Sequence, residues 1–105
     1  MMFMISYVPG TKSDSSMEQF NTTVSTTLRN IGTIDVWANQ MSQNGVWIVS
    51  SRLNASQIRD AIKPYVAQTD RVFVARISRN WAGMNMGQAF AEWMPKQEFG
   101  TFNNN

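Results

Sequence analysis

Apolar residues in this chain recur with a period that switches between two and about 3.6, and the order of those switches leaves few folds open. Met2 to Val8 is a nearly continuous apolar run closed by Pro9-Gly10. It predicts a buried strand with Phe3, Ile5 and Tyr7 on one face and Met2, Met4 and Val8 on the other. Ser15 and Glu18 then have the spacing of a capping box, and Met17, Phe20, Val24, Leu28 and Ile31 follow at three- and four-residue intervals. A helix is expected there, ending at Gly32, with Asn21, Thr22, Ser25 and Arg29 on its solvated face. From Thr33 the period returns to two. Ile34, Val36 and Ala38 alternate with Asp35, Trp37 and Asn39, as in a second strand. Asn44-Gly45 signals a hairpin, lengthened by Gln40 to Gln43, into a third strand from Val46 to Ser51. Asn54 and Gln57 cap a second helix carrying Ile58, Ala61, Ile62, Tyr65 and Val66, whose end Pro64 loosens. Asp70 to Ile77 reads as a fourth strand with Val72, Val74 and Arg76 on one face and Phe73, Ala75 and Ile77 on the other. A short helix is expected from Met86 to Met94, capped by Asn85 and stopped by Pro95.

Strand, helix, strand, strand, helix, strand is the α+β, ferredoxin-like βαββαβ order, with a four-stranded antiparallel sheet, both helices on one sheet face and a short C-terminal helix added. A chain of 105 residues has room for one core. The domain is expected to span residues 1–95, with 96–105 as a flexible tail. Strands one and four are apolar on both sides, so the second sheet face needs a cover. The terminal helix can shield part of it, and a second copy of the chain is the more economical cover, which predicts a homodimer.

With no cysteine and no histidine, thiol nucleophiles, zinc sites, imidazole bases and disulfides are excluded together. No cofactor is implied, because Gly83 and Gly87 lack phosphate-loop spacing. No apolar run approaches the roughly 18 residues that span a bilayer. The opening MMFMISYV lacks the basic start and small-residue cleavage site of a signal peptide, so a cytoplasmic protein without membrane contact is expected. A net charge of +2 is too small to imply nucleic acid by itself.

YVPG closing the first strand, GVWIVSSRLNASQIRDAIKPYVAQTDRVFVARI through the second half, and the following WAGMN and AFAEWM resemble the small stand-alone relatives of the CRISPR-associated "Cas two", VapD-like nucleases. The resemblance covers roughly residues 2 to 94. It implies a ferredoxin-like homodimer paired through its sheets, in a group that includes double-stranded DNA binders of spacer acquisition and ribonucleases of toxin systems. Nuclease activity in that group is attributed to an aspartate just after the first strand's tyrosine, one from each subunit, holding magnesium at the dimer axis. Here Tyr7 is followed by Val8, so the catalytic and metal-binding residue of the family is missing.

The acidic residues Asp14, Glu18, Asp35, Asp60, Asp70, Glu92 and Glu98 are scattered, and Asp70 is expected to order the turn before strand four. The basic residues point to a nucleic acid instead. Arg71, Arg76 and Arg79 gather around strand four, with Arg52 after strand three and Lys12 in the first loop, and Trp81 can stack on a base. The structural alternative is that the arginines keep the edge strand soluble and Trp81 anchors the terminal segment. Met84, Met86 and Met94 suit an adaptable partner surface or plain core filling, and Trp37 and Trp47 are expected to pair across the hairpin. The expected function is a non-catalytic homodimer binding DNA, RNA or a nucleic-acid-processing machine. Two alternatives stand beside it. One is a metal-dependent ribonuclease of toxin type that recruits Asp14 or Asp35. The other is a protein-binding inhibitor or nucleotide-binding regulator, such as a phage would encode.

Overall fold

The computed structural model describes residues 1–10, 14–34 and 45–100. Among them the apolar run Met2–Val8 forms β1, Asp14–Ile31 forms α1, Gly32–Ile34 forms β2 and Val46–Ser51 forms β3. Ala55–Ile62 forms α2, Arg71–Ile77 forms β4 and Gln88–Trp93 forms α3. The strands lie in the order β2-β3-β1-β4 and each pairs antiparallel with its neighbours. This is the ferredoxin-like α+β arrangement, with β1 and β3 central and α3 added at the C-terminal end. Asp35, Val36, Trp37 and Ala38 lie outside the described residues, as do Asn44 and the expected Trp37–Trp47 pair. None of the described helices is long and apolar enough to cross a membrane.

The inner sheet face follows the sequence parity. Phe3, Ile5, Tyr7, Trp47 and Val49 meet Phe20, Val24 and Leu28 of α1 and Ile58 and Ile62 of α2 in one buried cluster. The Tyr7 and Phe20 rings stack at 3.9 Å, and Trp47 meets Phe20 edge-on at 6.4 Å. Ser25, expected on the solvated face, is buried instead. Its Oγ accepts the Trp47 indole N–H at 3.0 Å, because a buried indole needs an acceptor and the adjacent helix turn offers one. Gly32, expected just past the helix, opens β2. A Cβ there would stand 2.1 Å from the Ser50 carbonyl oxygen, so the strand crossing itself requires glycine.

The outer face divides in two. At the Met2 end, Phe90, Met94 and Phe99 cover Met2 and Ile48, with Trp81, Met86 and Trp93 half-buried around them. The chain therefore supplies its own cover for half of the face. The terminal helix is shorter than its pattern. Asn85 takes a left-handed φ of 58° rather than capping it, and Gly87 at φ 87° leads into α3. Within the expected tail, the described residues 96–100 include Phe99, which is 1% exposed and packs back on the sheet. At the other end no described residue buries the outer face. Val8 and Phe73 are 54% and 63% exposed there.

Candidate nucleic-acid interface

The arginines of strand four do not form one cluster. Arg71 pairs with Val8 and Arg76 with Phe3, so the two sit on opposite faces of β4. At about 3.3 Å per residue they are also roughly 17 Å apart along it. Arg76 is built into the fold: its Nη2 donates to the Phe99 carbonyl at 2.8 Å. Gly100, at φ +70°, follows so closely that a Cβ would stand 2.7 Å from the same Nη2. Trp81 is half-buried with its ring edge-on to Phe90 at 5.8 Å, an anchoring contact. The Arg79 guanidinium lies 5.2 Å over the Phe99 ring and its side chain remains exposed. Arg52 is exposed just beyond β3, and Lys12 lies outside the described residues.

Topology gathers a different set. The register aligns Met2 with Ser50 and Ile77, and Gly32 with Ser51, so the start of β1 and the ends of β3 and β4 share one end of the sheet. Arg52 follows Ser51 and Arg79 follows Ile77 at that end. α1 runs back along β1 and delivers Arg29, exposed in its last turn, to the same end. The Met1 ammonium is held there too, donating to the Ser51 carbonyl at 2.8 Å. The sequence places Arg29 only on a solvated helix face, because its neighbours there are polar. The signal that finds it is the helix direction, which follows once the βαβ order is known. It also complements the partial negative charge of the α1 C-terminus.

The opposite end of β1 carries Val8, which is exposed and supplies no ligand oxygen from its side chain. The Asp70 carboxylate, one residue before the Arg71 that pairs with Val8, is occupied as a clasp. Asp70 accepts from the Tyr7 hydroxyl at 2.7 Å and from the Gly10 and Ala67 amides at 2.9 Å each. Burial first, and then the bond to Asp70, push the Tyr7 phenol above its ordinary range. Asp70 thus orders the turn before β4, as expected, and also fastens the end of β1 to it. Among the described residues no three Asp, Glu, His or Cys side chains converge as metal ligands. Asp35 and the side chain of Asp14 lie outside the described residues. No protein-family model, curated protein or solved structure matches this chain.

Proposed function

We propose that the chain is a non-catalytic, cytoplasmic binding protein, related to the CRISPR-associated "Cas two" group, that acts as a homodimer and holds a nucleic acid at its basic end. The observation that carries this reading is the placement of exposed Arg29, Arg52 and Arg79 at one end of the sheet. Exposed guanidinium groups there displace condensed counterions from a phosphate backbone, and that release drives sequence-independent binding. Val8 supplies no metal ligand and the Asp70 carboxylate is engaged by three donors, which supports binding without cleavage. Dimerisation is supported by the exposure of Val8 and Phe73, adjacent apolar side chains at the Val8 end of the outer face.

Fluorescence anisotropy with labelled DNA and RNA over a salt series tests the reading. Arg29→Ala, Arg52→Ala and Arg79→Ala should each flatten the slope of log affinity against log salt by about 0.9 for a duplex and about 0.7 for a single strand. Arg71→Ala, at the far end, should leave the slope unchanged. Absence of binding at about 50 mM salt, or an equal loss from Arg71→Ala, overturns it.

A further inference from the structure

The outer edge of β4 is unpaired among the described residues, since β4 closes the sheet on that side. The hydrogen-bond parity fixes which of its backbone groups face outward. The Tyr7 amide donates to Gly45 at 2.7 Å and the Ser51 amide to Met1 at 2.9 Å, so odd-numbered residues of β1 turn their backbone groups to β3. Even-numbered residues then serve β4, through the pairs Met4↔Ala75, Ser6↔Phe73 and Val8↔Arg71. The N–H and C=O groups of Val72 and Val74 therefore point away from the sheet. No backbone hydrogen bond among the described residues uses them.

Beside this edge lies a cavity of about 500 Å³ between α2 and β4. Ile62, Val66 and Val72 line it with apolar surface, and Arg59 and Lys63 flank it with positive charge. The Arg59 guanidinium also meets Asp60 at 3.0 Å, an exposed contact between sequence neighbours that solvent screens. β4 carries no proline, and its one inward-facing charge, Arg76, is turned to the Phe99 carbonyl, so the Val72–Val74 stretch is a template for another strand beside an apolar groove.

We infer that the free edge of β4, with the groove under α2, binds an extended acidic peptide of another protein as a fifth strand. A peptide residue opposite Val72 projects to the inner face, into the groove, because paired residues share a face. An apolar residue fits there, against Ile62 and Val66. Residues two positions to either side project to the same face, where Arg59 and Lys63 favour carboxylates. Arg29, Arg52 and Arg79 take no part, so this site stands or falls separately from the basic end.

A labelled seven-residue peptide, Thr-Glu-Thr-Val-Thr-Glu-Thr, tests the inference on the full chain. It should bind saturably, and Arg59→Glu with Lys63→Glu should weaken it by about fivefold while strengthening the peptide carrying Lys in place of Glu. Backbone chemistry gives a test that needs no protein variant. In the antiparallel pairing that every strand of this sheet uses, the amides of Val and Glu face β4 and those of Thr face solvent, so N-methylation of Val and one Glu should weaken binding about tenfold or more. N-methylation of two Thr residues should leave it unchanged. Equal effects of the two methylations, indifference to the charge reversal, or no saturation by about 1 mM peptide overturns the inference.

Discussion

Asp70 holds three donors on one carboxylate, and two of its bonds reach 60 and 63 residues back along the chain to Gly10 and Tyr7. Replacing it with alanine leaves the Tyr7 hydroxyl without its acceptor, whereas the exposed amides recover water. A loss of about 2 kcal/mol is expected, and about 1 kcal/mol for Tyr7→Phe, both read from urea midpoints. The phenol adds a pH dependence. Its folded value is raised above the unfolded value of about 10, so folding favours the neutral form. That contribution is complete below about pH 10 and is lost as the pH rises beyond it toward the folded value. The urea stability of the native chain should therefore fall more steeply than that of Tyr7→Phe between about pH 10 and 11, and parallel curves would refute the assignment. The sequence marked Asp70 as a turn former, which local chemistry suffices to show. It did not pair Asp70 with Tyr7, because no spacing rule links residues so far apart.

At the scale of elements, α2 was the most legible, since every signal for it is local. Asn54 Oδ1 accepts the Gln57 amide and Gln57 Oε1 accepts the Asn54 amide, each at 2.9 Å, while Ile58 and Ile62 form the buried side. Pro64 turns the end of α2 into a 3-10 turn over Lys63–Tyr65, as its missing N–H requires. The C-terminal segment was half legible. Its apolar residues predicted a helix, but the return of the chain after Pro95 depends on Phe99 finding Met2 and Ile48 across the sheet. Phe99→Ala should cost about 3–5 kcal/mol, since a buried ring leaves a cavity and uncovers its neighbours. Hydrogen exchange should show residues 88–100 losing protection ahead of the sheet. Unchanged protection in that segment would mean that the ring is not what holds it.

For the whole molecule the proposed dimer rests on the Val8 end of the outer face. Val8 and Phe73 lie on adjacent strands, with Met4 and Val46 partly buried on the same face. A second copy packed there would remove both from water and extend the cover that Phe90, Met94 and Phe99 begin. Light scattering at low micromolar concentration should give about twice the chain mass of 11.9 kDa. Phe73→Asp should return the monomer with an unchanged circular dichroism spectrum, because Phe73 is exposed within the single chain and its replacement disturbs no internal packing. A native mass near 11.9 kDa throughout would remove the dimer.

The sequence by itself determined the element order, the parity of β1 and β4, the α2 cap and hence the ferredoxin-like class. Each of these is a property of residues within a turn or two of one another, where period, capping and proline chemistry act. The tertiary structure decided the roles of individual side chains. Arg76 and Trp81, which the sequence offers both as nucleic-acid ligands and as structural residues, contact Phe99 and Phe90. Ser25 looked solvated and holds the Trp47 indole, and Arg29 looked incidental and reaches the basic end. The physical reason is that a side chain's role depends on which distant atoms the fold brings within bonding distance. Strand order and register set those neighbours, and the outward amides of Val72 and Val74 follow from the same register.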